Sequence, residues 1–223
     1  MLDYLHAKYP AGGADGPTIL DMGTGNGHLL FRLCGVPDEE DGNDSDEGED
    51  GDDGSVQNAI TAPSRMTGID YSTQSIDLCK KITSSNLEAH AGIDKIQWKQ
   101  LDVLEAAQVQ SLGLATWDVI LDKGTLDAIA LASSTTSSAT TPLATYIDHL
   151  GQLLSRKPHD ASQRPPLLLI TSCNFTSSEL VSRITTNSKD SLKLLEVLPS
   201  KKPAFTFGGQ QGETTCCVAF TSA

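Results

Sequence analysis

The sequence has few aromatic residues and no pattern typical of a metal site or a membrane span. Aromatic residues make up 5% of the 223 residues and hydrophobic residues 38%, and the apolar runs are much shorter than the roughly 18 residues that indicate a membrane-spanning helix. The five cysteines are irregularly spaced without a C-x-x-C pair, which predicts neither a disulfide framework nor a zinc site. The first residues do not resemble a signal peptide. We therefore expect a cytoplasmic protein with reduced thiols and no membrane partner.

Basic residues are outnumbered by acidic ones, and the excess acidity comes from one segment. The net charge is −13, and residues 38–53 hold 11 acidic residues and no basic one. The other 18 acidic residues face 16 basic ones, so the rest of the chain is nearly neutral. We expect a disordered insertion at about 37–60, and the alternative is a segment that attracts a basic partner. Because no basic stripe offsets this charge, no nucleic-acid partner is expected.

Strand-like and helix-like segments alternate along the remaining sequence. Apolar runs predict seven strands, at 18–22, 65–69, 96–101, 117–121, 166–171, 192–198 and 216–220. Helical patterns predict helices at 28–34, 72–89 and 146–154 and a helix that begins at 177. This order indicates one α/β domain over residues 1–223, with a doubly wound, mostly parallel seven-stranded sheet, an antiparallel edge strand and a flexible Ser/Thr loop at about 133–142.

Three glycines follow the first predicted strand, in the segment Asp21-Met22-Gly23-Thr24-Gly25-Asn26-Gly27. Glycines at this point let the backbone turn tightly and approach a ligand closely. A dinucleotide loop would need its third glycine at position 28, where this chain has a histidine. An acidic residue before the glycines repels a phosphate but suits a cation, which favours the sulfonium cofactor S-adenosyl-L-methionine (SAM). An NAD-dependent oxidoreductase is the less favoured alternative.

Acidic residues also follow the next three predicted strands, at Asp70, Asp102 and Asp122. The carboxyl ends of parallel strands meet at one edge of the sheet, where ligands bind. We expect Asp70 to accept hydrogen bonds from ribose hydroxyls and Asp102 from the adenine amino group, with neighbours of Asp102 such as Val103 covering the ring face. Tyr71, next to Asp70, is a further candidate cofactor-binding residue. Asp122 is the candidate catalytic residue, and we expect its carboxylate to orient an incoming amine.

Longer strings resemble a known family. The strings ILDMGTGNGHLLFRL (19–33), GIDYS (68–72), LDKGTLDAIAL (121–131), ITSCNFTSSEL (170–180) and FTFGGQQG (205–212) are similar to those of the seven-β-strand, SAM-dependent protein-lysine methyltransferases that modify translation elongation factor 1-alpha. The resemblance implies a Rossmann-like fold, SAM as methyl donor and a lysine side chain of that factor as acceptor. It also implies that residues 122–125 line the acceptor side.

Two alternatives stay open at this point. One is a methyltransferase that acts on a small molecule or on RNA. The other is a non-catalytic interaction module with a methyltransferase fold. Members of the family that the sequence resembles carry a tryptophan-containing segment before the first strand, whereas the two tryptophans of this sequence, Trp98 and Trp117, come after it. The polypeptide is expected to be a monomer.

Overall fold

The computed structural model describes residues 1–10, 16–36, 59–132, 141–154, 164–199, 205–207, 210–212 and 214–223. The predicted acidic insertion and the predicted Ser/Thr loop fall almost entirely outside these residues. Nine strands lie in the described part: β1 (Ile19–Met22), β2 (Met66–Asp70), β3 (Gln97–Gln100), β4 (Val119–Lys123), β5 (Leu167–Ser172), β6 (Leu192–Leu198), β7 (Phe205–Phe207), β8 (Gln210–Gly212) and β9 (Cys216–Ser222).

Seven α-helices lie in the same residues: α1 (Leu2–Lys8), α2 (His28–Leu33), α3 (Thr73–Asn86), α4 (Ala106–Gln110), α5 (Thr125–Ala132), α6 (Pro142–Leu153) and α7 (Ser177–Asn187). Ser72 caps the start of α3, because its hydroxyl accepts a hydrogen bond from the Ser75 amide at 3.3 Å. Helix α7 begins with a reciprocal capping box between Thr176 and Glu179. None of the helices in the described ranges is long and apolar enough to cross a membrane.

The predicted fold class is confirmed. Seven strands form one sheet in the order β3-β2-β1-β4-β5-β9-β6, and the first five strands of the chain are all parallel to one another. The last strand, β9, runs antiparallel to both of its neighbours and lies one position inside the edge strand β6. Strands β7 and β8 form a separate two-stranded antiparallel sheet, which the apolar runs of the sequence did not predict.

Apolar side chains fill both faces of the sheet. Because successive strand residues point to opposite faces, Ile19 joins the cluster beneath α1 and α2, whereas Leu20 joins the cluster beneath α6 and α7. Every residue of β1 and β2 is buried, as expected for strands covered on both sides. The core also includes Ile60, which is fully buried although it lies at the predicted end of the acidic insertion.

Candidate active site

The glycine loop has the backbone that its sequence predicts. Gly23, Gly25 and Gly27 have φ angles of 65°, 59° and 81°, a region that residues with a Cβ rarely adopt. A Cβ at Gly25 would meet no atom within 4 Å, whereas a Cβ at Gly23 would collide with the hydroxyl of Thr125. The loop therefore contacts the start of α5 at Gly23 and presents an open backbone surface at Gly25.

Trp98 supports the loop from the neighbouring part of the sheet. A Cβ at Gly27 would lie 2.8 Å from the Trp98 ring, which also packs against Phe31 with 5.3 Å between ring centroids. The indole N–H donates to the Thr83 hydroxyl at 3.1 Å, and the Cys79 thiol donates to the Gly25 carbonyl at 3.3 Å. These contacts hold the glycine loop against β3 and α3. The sequence pattern did not identify Trp98 as a residue of the site.

Asp21 lies beneath the loop with 2% of its surface exposed. Its carboxylate accepts a hydrogen bond of 2.6 Å from the Thr24 hydroxyl. Burial raises the pKa of Asp21 to about 6, against the opposing effects of the Thr24 hydrogen bond and the charge of Lys123. A buried carboxylate with this pKa stabilises a cation placed beside it, which is the property that the sequence analysis assigned to Asp21.

Asp70, the last residue of β2, links the glycine loop to the start of α3. One carboxylate oxygen accepts from the Gly25 amide at 3.0 Å and the other from the Ser72 amide at 2.9 Å. Asn26 is exposed at the tip of the loop, and its side-chain oxygen accepts from the His28 amide at 3.2 Å. Each Asp70 oxygen keeps a lone pair for a further donor, so the geometry is compatible with a ribose contact.

The other predicted cofactor residues lie next to Asp70 at the same edge of the sheet. The Tyr71 side chain is 78% exposed, and Asp102 is exposed while accepting from the Leu104 amide at 2.9 Å. Val103 is buried, and its carbonyl accepts from the Nδ1 of His149 at 2.9 Å. His149 is buried, and its ring reaches this carbonyl from α6.

Asp122 is completely buried near the end of β4. Its carboxylate accepts hydrogen bonds from the Tyr146 hydroxyl at 2.8 Å, the Thr125 amide at 2.9 Å and the Leu126 amide at 3.1 Å. Burial raises the pKa of Asp122 to about 7, although these three hydrogen bonds lower it. The carboxylate therefore fixes the first turn of α5 to the fully buried Tyr146 of α6.

This geometry changes the role expected for Asp122. A direct hydrogen bond to an incoming amine requires an accessible carboxylate oxygen, and both oxygens are enclosed and occupied by protein donors. In the structure both oxygens hold α5 and Tyr146 in place, which favours a positioning role for Asp122 over a direct contact with the amine. Gly124, two residues later, has a φ of 92° and open space where a Cβ would stand.

A second acidic residue of the same region, Asp127, was not predicted as part of the site. It is 9% exposed, and its carboxylate accepts from the Ser172 hydroxyl at 2.6 Å and from the Cys173 amide at 2.8 Å. Its presence in the string LDKGTLDAIAL was visible, but its partners lie 45 and 46 residues away in the chain. Only the fold brings them together.

The sheet register places these groups at one edge. Met22 pairs with Asp122 across β1 and β4 and with Ile69 across β1 and β2. The glycine loop, Asp70 and the start of α5 therefore lie side by side, as the sequence analysis expected for strand ends in a parallel sheet. No group of three or more His, Cys, Asp or Glu side chains within the described ranges could hold a metal ion.

Comparison with known proteins agrees with this architecture. A model of the family described as methyltransferase domain matches residues 14–198. The chain is 35% identical over 203 residues to the protein-lysine N-methyltransferase efm4 of Schizosaccharomyces pombe, covering 91% of this chain and 68% of that protein. It is 30% identical over 203 residues to EEF1A lysine methyltransferase 2 of Homo sapiens, covering 91% of this chain and 64% of the human protein.

A solved structure extends the likeness to three dimensions. Magnesium protoporphyrin IX methyltransferase (ChlM) from Synechocystis PCC 6803, solved with bound SAM, matches with a TM-score of 0.55 and covers 100% of this chain and 76% of that one. At 11% identity this likeness concerns the fold alone. The family model and the relative that is 35% identical settle the classification. The chain belongs to the methyltransferase domain family, together with the fission yeast and human lysine methyltransferases.

Proposed function

We propose that this protein transfers methyl groups from SAM to a lysine side chain of another protein, and that elongation factor 1-alpha is its substrate. The observation that carries the proposal is the alignment of the glycine loop, Asp21 and Asp70 with the start of α5 at one edge of the sheet. The human relative's name specifies EEF1A as its substrate, which supports the same acceptor here. The chain spans about two thirds of the length of these relatives.

The residues of the cofactor side fit SAM. The open backbone at Gly25 leaves room for a ligand, and the buried Asp21 carboxylate compensates a positive charge. Asp70 and Asp102 supply acceptors for hydroxyl and amino groups, and Tyr71, Val103, Gly23, Thr24, Asn26 and Gly27 complete the proposed cofactor set. When bound, SAM supplies an activated methyl group on a sulfonium.

The acceptor side has to present a neutral amine in line with that methyl group. An unperturbed lysine has a pKa of about 10.4, so the amine has to lose a proton before it reacts. Partial burial of the amine in the acceptor site lowers its pKa, because burial disfavours the charged form. Asp122 contributes by holding α5 in place, and Gly124 leaves space for the approach. Most of the rate comes from this positioning.

The direct test is methylation of elongation factor 1-alpha by the full chain with isotope-labelled SAM, followed by mass spectrometry of lysine-containing peptides. The Asp70→Ala variant serves as a matched negative control for cofactor binding. We expect a labelled lysine in the substrate with the wild-type chain and none with the variant. Labelling of RNA or of a small molecule, with no labelled protein, would refute the lysine assignment, and a wild-type chain that binds no SAM would refute the enzyme itself.

Residues 1–223 are proposed to form one domain, which limited proteolysis with mass spectrometry of the fragments can check. The monomeric state, the cytoplasmic location and the lack of a nucleic-acid partner also stay predictions. Sedimentation of the purified chain measures the first of these.

A further inference from the structure

The segment after β5 is held by a buried cluster of hydrogen bonds. Ser172, the last residue of β5, is fully buried, and its hydroxyl donates to Asp127 at 2.6 Å. The same hydroxyl oxygen accepts from the amides of Asn174 and Phe175, both at 3.1 Å. The Cys173 amide donates to the second Asp127 oxygen at 2.8 Å. One carboxylate and one hydroxyl therefore satisfy three consecutive backbone amides.

The far end of this segment is fixed by other elements. The Phe175 carbonyl accepts from the Cys216 thiol of β9 at 3.2 Å, and the Arg183 guanidinium lies 4.6 Å from the centre of the Phe175 ring. The side chains of Cys173 and Asn174 are left exposed between the two fixed ends. The segment thus has a fixed backbone and two side chains that face outward.

This segment adjoins the proposed acceptor side. Lys123 pairs with Thr171 across β4 and β5, and the Gly124 amide donates to the Thr171 carbonyl at 3.2 Å. Asp127 lies on α5, the helix whose first turn Asp122 holds. Two carboxylates therefore fix the short helix α5. Asp122 of β4 connects its first turn to α6, and Asp127, on α5 itself, connects it to the end of β5.

We propose, on the basis of the lysine methyltransferase function above, that Asp127 is a positioning residue for the protein substrate: through Ser172 it fixes residues 172–175, so that Asn174 borders the entry of the acceptor lysine beside Gly124. The hydrogen bonds of the Asp127 carboxylate go to Ser172 and Cys173 and therefore to the acceptor side. Its loss is expected to weaken the use of the protein substrate without weakening SAM binding.

The test compares Ser172→Ala and Asp127→Asn with the wild-type chain, using Ser188→Ala as control. Ser188 is also fully buried, and its hydroxyl makes only long bonds of 3.4 and 3.5 Å to carbonyls near the other end of α7. We expect Ser172→Ala to raise the KM for the protein substrate about 10-fold or more, since a small displacement of a reacting group is costly. The SAM Kd should be unchanged in all variants. The KM of Asp127→Asn for the protein substrate should lie between those of the wild-type chain and Ser172→Ala, because the amide keeps one acceptor oxygen.

Hydrogen exchange of residues 173–175 in the chain without substrate provides an independent readout. Faster exchange of these amides in Ser172→Ala, but not in Ser188→Ala, supports the positioning role, and unchanged exchange refutes it. In an active enzyme, an unchanged protein KM also refutes it. If the wild-type chain methylates no protein, the proposed function fails, while the exchange result still decides whether Asp127 and Ser172 hold the segment.

Discussion

The two halves of the site use buried carboxylates for different connections. At the ends of β1 and β2, Asp21 and Asp70 bind groups of the glycine loop and of the turn that follows β2. At the ends of β4 and β5, Asp122 and Asp127 instead join separate elements, α5 to α6 and α5 to the segment after β5. The first pair shapes the proposed cofactor surface directly, whereas the second pair holds the elements around the proposed acceptor site. Variants of the two halves should therefore separate cofactor binding from methyl transfer.

The largest effect is expected for Asp70→Ala. The substitution removes the acceptor of the Gly25 and Ser72 amides and the proposed partner of the ribose hydroxyls. Two hydrogen bonds from the ribose hydroxyls to the Asp70 carboxylate contribute at least about 3 kcal/mol together. Their loss should lower the SAM affinity by about 100-fold or more. Calorimetric titration with SAM measures this loss. Asp77→Ala, an exposed acid on α3, is the control, and equal affinities for both variants would remove Asp70 from the site.

Asp122→Ala should impair methyl transfer, which depends on the ends of β4 and β5, and leave SAM binding at the ends of β1 and β2 nearly unchanged. The change leaves the buried Tyr146 hydroxyl and the Thr125 and Leu126 amides without their acceptor, so we expect a lower melting temperature. Methyl transfer should fall about 50-fold because α5 shifts, with the SAM Kd within about 3-fold. Asp122→Asn, which retains one acceptor oxygen, should be milder. Normal turnover of a folded Asp122→Ala chain would exclude any role for this residue.

A matched glycine pair sharpens the comparison. Gly25 and Gly124 both have positive φ angles, 59° and 92°, and an added Cβ meets nothing within 4 Å at either position. Alanine therefore costs a similar backbone strain of about 1–2 kcal/mol at both. We expect Gly25→Ala to raise the SAM Kd about 10-fold and Gly124→Ala to raise the KM for the protein substrate instead. Equal effects of both variants on both constants would contradict a division of the site into two halves.

The smallest effect concerns pH and Asp21. Burial raises the folded pKa of this acid from about 3.8 to about 6, so the folded chain without ligand holds a proton that the unfolded chain releases. The stability from this proton is present below pH 3.8 and lost as the pH rises through about 6. A bound cation favours the ionised form, so the SAM Kd should be about 4-fold weaker at pH 5.5 than at pH 7.5.

The same titration in Asp21→Asn provides the control. The amide cannot ionise, so this variant should bind SAM more weakly than the wild-type chain and with little difference between the two pH values. A pH dependence that persists in Asp21→Asn would assign it to another group. The SAM-induced rise in melting temperature, measured at both pH values, checks the same linkage from the stability side.

Local pattern was sufficient for the cofactor half because its residues are close in the chain or directly follow strands. The glycines after β1 and the acid at the end of β2 are recognisable in the sequence, since the loop needs positive φ angles and the strands are continuously apolar. Trp98 was missed because it lies in the mostly exposed β3, where the local sequence does not distinguish it from a side chain that faces solvent. Its contact with Gly27 depends on the pairing of β3 with β2.

The sequence by itself determined the fold class, the position of the glycine loop and the family, because each depends on local periodicity or on contiguous strings. Only the tertiary structure decided how the acids at the other half act. Whether Asp122 faces a substrate or the interior depends on Tyr146, 24 residues away, and the role of Asp127 depends on Ser172, 45 residues away. Such partners come together only in the folded chain. The physical reason is that a buried carboxylate is stable only when it accepts hydrogen bonds, and here the fold supplies the donors.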